Sequence, residues 1–161
     1  LIVDDEPEAR DLLTMLLEPL KGVKIVAYAE NVDQALSRVE ETDPDLILLD
    51  IMMPDITGYE VCKQLKADNA TREIPIIFVS SLNETLDKVK AFQCGAIDYL
   101  SKPLQQEEVL ARVRIHLLLQ RLRNHLEEIV EERTAKLQQA LVENQQYLLI
   151  SYGWERYLWC N

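Results

Sequence analysis

Acidic residues stand at the ends of strand-like apolar runs, where they could bind a cation or attack phosphorus. Asp4 and Asp5 follow the run LIV, and Asp50 ends the run DLILLD. Carboxylates that converge on one spot cannot all stay ionised unless a hard cation such as Mg²⁺ lies between them. The pattern therefore predicts a Mg²⁺ site, with Asp50 also able to act as a nucleophile toward phosphorus.

A hydroxyl and an amine at the ends of two further runs complete this chemical set. Ser80 closes the run IPIIFVS, and Lys102 lies just beyond Tyr99 in the run that contains AIDYL. An ammonium group neutralises charge on phosphoryl oxygens, and a hydroxyl can donate a hydrogen bond to one of them. We therefore expect Ser80 and Lys102 to contact a phosphoryl group held at Asp50.

The elements that must bring these residues together alternate along the chain. Apolar, β-branched runs at 1–3, 24–29, 45–50, 74–80 and 96–100 are typical of strands covered on both faces. Helical patterns separate them, and Asn31 or Asp33 can cap the second helix while Gly95 can end the fourth. This order predicts an α/β fold, a (βα)5 doubly wound parallel sheet with helices on both faces. Ligands bind beyond the carboxyl ends of the strands in such sheets.

Charge and composition exclude several classes of function. Residues 1–103 carry 20 acidic against 10 basic side chains, and the whole chain has a net charge of −11. Direct binding to nucleic acid or to an anionic membrane is therefore not expected, because both require clustered Lys and Arg. No apolar leader and no window of 18 apolar residues is present, which predicts a cytoplasmic protein.

Four segments, in this order, resemble the receiver domain of two-component response regulators. They are DD at 4–5, DIMMPDITGYE at 50–60, FVSS at 78–81 and DYLSKP at 98–103. The resemblance covers residues 1 to about 120 and implies a flavodoxin-like fold, Mg²⁺ as cofactor and a histidine kinase or phosphotransfer protein as partner. It also implies that the chain accepts a phosphoryl group for signalling and is not an enzyme.

Position by position, the resemblance assigns a role to each residue around the acidic site. It makes Asp50 the phosphoacceptor and a metal ligand. Asp5 would be a direct Mg²⁺ ligand, Asp4 a second acidic ligand, and the backbone carbonyl of Met52 a further oxygen ligand.

The resemblance also describes how the signal would leave this site. Ser80 and Lys102 would contact the phosphoryl group, and the Lys102–Pro103 bond is commonly cis in the family. Ser80 would then move toward the phosphate and Tyr99, the aromatic switch, would turn inward. This would remodel the face that the fourth helix, fifth strand and fifth helix form.

A long helix is predicted after the receiver, because no Gly or Pro occurs from Leu104 to Ile150. Residues 104–150 would form a fifth helix that continues as a coiled coil in a parallel homodimer, with a solitary helix as the alternative. The apolar seam slips near residues 130–137, which indicates a stutter. Two of its positions carry polar residues, Arg133 and Asn144. The seam residues before the slip are Ile115, Leu119, Leu122, Leu126 and Ile129, and those after it include Leu137, Leu141 and Leu148.

Two other functions and the end of the chain remain open at this stage. A haloacid-dehalogenase phosphatase also uses an aspartyl nucleophile, but its DxD motif follows the first strand rather than the third. A pseudo-receiver would act only as a dimerisation module. Residues 151–161 form an aromatic tail that could be the start of a missing output domain, a patch that closes the coiled coil or a cloning scar. Both His116 and His125 are expected at the helix surface or the seam edge.

Overall fold

A computed structural model describes residues 1–54, 57–81 and 85–158, with side chains left undescribed at 85–88 and 147–158. Five parallel strands form one sheet in the order β2-β1-β3-β4-β5. Helices follow the strands in alternation, which confirms the predicted doubly wound α/β fold. The elements are β1 (Ile2–Val3), α1 (Pro7–Leu17), β2 (Tyr28–Ala29), α2 (Val32–Thr42), β3 (Ile47–Asp50), α3 (Gly58–Ala67), β4 (Ile76–Ser80), α4 (Thr85–Gln93), β5 (Asp98–Ser101) and α5 (Gln106–Leu158).

The sheet separates two apolar clusters because neighbouring strand residues point to opposite faces. Ile47 and Leu49 of β3 pack with α2, α3 and α4, for example against Val61. Leu48, between them, packs on the other face with residues of α1 and α5, such as Leu13 and Val113. The strands read as continuous apolar runs because both faces of the sheet are covered.

Local chemistry explains where several helices begin and end. Pro7 stands at the start of α1, where a missing N–H costs nothing. The Asn31 side chain caps α2 by accepting a hydrogen bond from the Gln34 N–H at 2.9 Å, which decides between the two caps considered above. Gly95 follows α4 with a φ of +92°, a left-handed conformation that favours glycine and stops the helix.

Strand β2 is shorter than the apolar run from 24 to 29 suggested. Only Tyr28 and Ala29 pair with β1, and the side chains of Val26 and Tyr28 are exposed. This strand lies at the edge of the sheet, so it has one partner, and that partner pairs along only two residues. An apolar run in the sequence does not show how many of its residues pair with a neighbouring strand.

The chain divides into two units, Leu1–Gln120 and Arg121–Asn161. Helix α5 begins in the first unit, where Val109 and Val113 are buried, and its backbone remains helical to Leu158. The helix therefore includes Gly153 and most of the aromatic tail, while residues 159–161 lie outside the described part. Along the described residues, no helix is both long and apolar enough to cross a membrane.

Candidate functional site

Asp4, Asp50 and Lys102 meet at the carboxyl edge of the sheet, near the point where the strand order reverses between β1 and β3. The Lys102 Nζ lies 3.2 Å from Asp4 Oδ2 and 3.1 Å from Asp50 Oδ1. The two acids are 1% and 4% exposed, respectively. A single ammonium group therefore bridges two buried carboxylates that lie 46 positions apart in the sequence.

Backbone groups fix the orientation of both carboxylates. The Met52 N–H donates to Asp50 Oδ2 at 2.7 Å, and the Glu6 N–H donates to Asp4 Oδ1 at 2.9 Å. Each acid thus keeps one oxygen on the backbone and turns the other toward Lys102. This arrangement turns one oxygen of each buried acid toward the same ammonium group.

Gly58 brings the start of α3 against the Asp50 backbone. Its N–H donates to the Ile51 carbonyl at 2.9 Å. A Cβ atom at this position would lie 2.1 Å from the Asp50 carbonyl oxygen and 3.0 Å from the Ile51 Cα. Because both are backbone atoms, only glycine permits this approach.

The charges of the site are unequal, with two acids sharing one base. Burial raises the pKa of Asp50, and the nearby Asp4 raises it further, while Lys102 and the Met52 N–H lower it without cancelling the rise. Burial acts to lower the pKa of Lys102, but the charges and hydrogen bonds of Asp50 and Asp4 outweigh it and raise that pKa. Lys102 therefore stays protonated, and the site disfavours the carboxylate form of Asp50.

Arg10 is a site residue that sequence reasoning missed. Its Nη1 donates to the Asp4 carbonyl oxygen at 2.7 Å, and its Nη2 pairs with Glu30 Oε1 at 2.9 Å. Glu30, which follows β2, thus pairs with the arginine that donates to the Asp4 backbone. The available sequence signal was the spacing of an arginine six residues after Asp4, on the first turn of α1.

The other predicted site residues lie in strands of the same sheet or directly after them. Ser80 is fully buried at the end of β4, and its carbonyl accepts a hydrogen bond from the Lys102 N–H at 2.9 Å. The Lys102–Pro103 peptide bond is cis. Tyr99 is buried in the core cluster on the α2, α3 and α4 side of the sheet. Asp5 is half-buried, and the Met52 side chain is exposed.

The donor set is compatible with a hard cation that keeps most of its water. Among the described residues, no three acidic, histidine or cysteine side chains form a cluster that could hold a metal ion. Two buried carboxylates do converge, however, and carboxylate oxygens are the ligands that Mg²⁺ prefers while it retains several waters. A small number of protein ligands is therefore consistent with Mg²⁺ chemistry at this edge.

A second charged cluster joins β5 to α5 at Asp98, the residue before Tyr99. Asp98 Oδ1 lies 2.5 Å from Arg112 Nη1, and Asp98 Oδ2 lies 2.9 Å from His116 Nε2. Burial acts to raise the pKa of Asp98, but the hydrogen bonds from Arg112 and His116 outweigh it and lower the pKa. His116 is therefore largely buried against Asp98, unlike the surface position expected from sequence, whereas His125 is exposed as expected.

The fold and this acidic, lysine-bridged edge define a class of protein, and comparison with known proteins agrees. The family model described as "Response regulator receiver domain" matches residues 1–114. This chain belongs to the family of response regulator receiver domains.

Curated relatives match a segment of about the same length as the family model does. The chain is 41% identical over 115 residues to the DNA-binding dual master transcriptional regulator RpaA of Synechocystis, covering 71% of this chain and 46% of that protein. It is 42% identical over 114 residues to the transcriptional regulatory protein ResD of Bacillus subtilis, covering 71% and 45%. The chain thus spans about half the length of these curated relatives.

Two crystal structures of receivers show the same fold. A putative response regulator from Chloroflexus aurantiacus superposes with a TM-score of 0.68 at 30% identity, covering 73% of this chain and 94% of that one. The receiver domain of a signal transduction histidine kinase from Syntrophus aciditrophicus gives a TM-score of 0.64 at 33% identity, with 72% and 86% covered.

Proposed function

We propose that this chain accepts a phosphoryl group on Asp50 and transmits the change through α5. One observation carries the proposal: two buried carboxylates share a single ammonium at the sheet edge where ligands bind in this fold. A site built only for stability would not bury two acids against one base, because the unbalanced charge is costly. An incoming phosphoryl group gives that ammonium a third anionic partner, whose charge it can help to neutralise.

The reaction moves one phosphoryl group and leaves atoms balanced. A carboxylate oxygen of Asp50 attacks phosphorus and forms a P–O bond, while the P–N bond to the donor histidine, or the P–O bond of a small acyl phosphate, breaks. The leaving group keeps the bonding electron pair. Lys102 then neutralises charge on the phosphoryl oxygens, and the Ser80 hydroxyl donates a hydrogen bond to one of them.

Mg²⁺ fits this proposal as the resident cation. Asp4, Asp5 and Asp50, with the Met52 carbonyl, would hold it, and waters would complete its coordination. When bound, Mg²⁺ neutralises negative charge on the phosphoryl oxygens. Asp50 would then serve both as metal ligand and as nucleophile.

Switching and dimerisation complete the proposed signalling unit. Ser80 would follow the phosphate, and Tyr99 would act as the switch on the face that α4, β5 and α5 share. The receiver comprises residues 1–120, and residues 104–150 form a helix that pairs with a second copy in a parallel homodimer. Residues 151–161 would lead into an output domain.

The partners follow from this assignment and from the charge of the chain. A histidine kinase or phosphotransfer protein in the cytoplasm would donate the phosphoryl group. RpaA is a DNA-binding regulator, but an acidic segment such as this one would not itself contact nucleic acid or membrane. The chain would take up one phosphate and stop, and so would not act as an enzyme that turns over phosphate esters.

Intact mass spectrometry tests the central step. After incubation with Mg²⁺ and acetyl phosphate, we expect one added phosphoryl group on the chain and none on Asp50→Ala. A chain that stays unmodified would support the pseudo-receiver, and continuous release of phosphate from external esters would support the phosphatase.

Removing the Arg10 side chain should weaken Mg²⁺ binding. Arg10→Ala loses the hydrogen bond to the Asp4 carbonyl, so the turn that carries Asp5 loosens, and we expect Mg²⁺ affinity to fall by about tenfold. Glu30→Gln keeps a hydrogen-bond acceptor for Arg10 and serves as the matched control. The measurement is the Mg²⁺ concentration that half-saturates phosphorylation, and equal values for the two variants would contradict this role.

A further inference from the structure

The spacing of the apolar seam of α5 repeats every eleven residues. The same seam shows a stutter when it is described with a seven-residue repeat. From Leu122 the seam residues step by 4, 4, 3, 4, 4 and 3, so the spacing repeats after eleven residues. A seven-residue register would instead pass from Arg133 to Lys136 and Ala140. Eleven residues are close to three turns of helix, so the seam stays on one face of the helix. We define the seam as Leu122, Leu126, Val130, Arg133, Leu137, Leu141 and Asn144.

The apolar members of this seam are exposed. Leu122, Leu126, Val130, Leu137 and Leu141 are between 52% and 67% exposed, along about 30 Å of helix. Polar side chains away from the seam pair within the helix, as in the 2.5 Å contact between Lys136 and Glu132 and the 3.0 Å contact between Gln139 and Glu143. The seam is thus the face of this helix that needs a partner.

We infer that the partner is a second copy of this chain, parallel and in register, that packs through the eleven-residue repeat. This deepens the dimer of the proposed function and rests on it. Two polar residues in the seam, Arg133 and Asn144, are themselves eleven residues apart. An apolar partner would leave the Asn144 amide unpaired, whereas an in-register copy sets it against its own equivalent.

Both polar layers are compatible with a second copy in register, and the asparagine layer can pair with itself. An asparagine amide both donates and accepts, so Asn144 can hydrogen-bond with the Asn144 side chain of the second copy. Arg133 can lay its aliphatic stem along the seam and keep its guanidinium in water. Polar seam residues of this kind lower stability but fix register.

The Asn144 layer favours the parallel orientation. In an antiparallel pair centred on Arg133, Asn144 would face Leu122, eleven positions before Arg133, and its amide would meet an apolar side chain. A parallel pair in register sets the two Asn144 side chains against each other.

Disulfide trapping tests orientation and repeat in the full chain. Leu126→Cys and Leu137→Cys are each made with Cys160→Ser, leaving Cys62 and Cys94, which are buried. The matched control is Lys136→Cys, which a seven-residue register would place in the seam. Each variant is mildly oxidised without a phosphoryl donor and followed on a non-reducing gel.

We expect Leu126→Cys and Leu137→Cys each to form a disulfide-linked dimer more than about tenfold faster than Lys136→Cys. An antiparallel pair can bring only one layer against itself, so linkage of one variant alone would overturn the parallel register. Equal rates for Lys136→Cys and Leu137→Cys would overturn the eleven-residue repeat. No linkage of either seam variant would overturn the dimer, and none of these outcomes depends on whether Asp50 is phosphorylated.

Discussion

Asp50→Asn should abolish phosphorylation and, without divalent cations, make the protein more stable. Asparagine cannot form the acyl phosphate, so no phosphoryl group should be added. It also removes one of two buried carboxylates that share Lys102, which we expect to raise the free energy of unfolding by about 1 kcal/mol at neutral pH. Urea denaturation in a metal chelator measures this gain.

The gain should depend on pH in a defined direction. The pKa of Asp50 is raised in the folded chain. At pH values between the ordinary carboxyl pKa and this raised pKa, the folded chain therefore holds a proton that the unfolded chain has lost. The stability of the parent chain therefore falls as pH rises through this range and stays lower above it. The advantage of Asp50→Asn should be absent at acid pH and appear as pH rises.

Asp98→Asn is the matched control, and we expect it to change the free energy of unfolding in the opposite direction. The pKa of Asp98 is lowered, since hydrogen bonds from Arg112 and His116 outweigh burial, so its carboxylate stabilises the fold above its unfolded pKa. This substitution should therefore lower stability at neutral pH. If Asp50→Asn lowered the free energy of unfolding as Asp98→Asn does, the claim that the unbalanced charge of the site lowers stability would be contradicted.

Gly58→Ala should cause the largest loss of stability among single substitutions near the site. Its Cβ would lie 2.1 Å from the Asp50 carbonyl oxygen, so either α3 or the backbone of Asp50 must move. We expect the free energy of unfolding to fall by about 3 kcal/mol or more. The midpoint of urea denaturation reports this loss, and the phosphorylation rate of the folded fraction reports the displacement of Asp50.

Gly22→Ala separates backbone strain from steric overlap. Gly22 has a φ of +81°, but a Cβ there would meet no atom within 4 Å. Only the cost of a left-handed conformation remains, about 1 kcal/mol. Equal losses for Gly22→Ala and Gly58→Ala would show that the close approach at Gly58 is relieved at no cost.

The fold could be predicted from sequence because its signals are local and repeated. Apolar runs such as DLILLD, separated by capped helical patterns, define the alternation of strands and helices. The topology then places Asp4, Asp50 and Lys102 at one edge, where the structure brings them together. Element ends were less accurate, as with β2, because pairing at a sheet edge depends on partners distant in the chain.

Contacts between distant residues explain what sequence reasoning missed. The spacing of Arg10 from Asp4 does not by itself reveal its contact with the Asp4 carbonyl, and the burial of His116 depends on Asp98, 18 positions away. Gly58 stood inside a recognised motif, yet its steric role depends on the backbone of a strand that ends eight residues earlier. These residues act through the tertiary structure rather than through a local pattern.

Locating the phosphoryl group on the chain tests the central claim most directly. The chain is phosphorylated with acetyl phosphate and Mg²⁺, the acyl phosphate is reduced with borohydride, and the modified residue is identified by peptide sequencing in the mass spectrometer. We predict a single modified residue, Asp50, with Asp4 and Asp5 unchanged. Modification at Asp4 or Asp5 instead, or none at Asp50, would contradict the account.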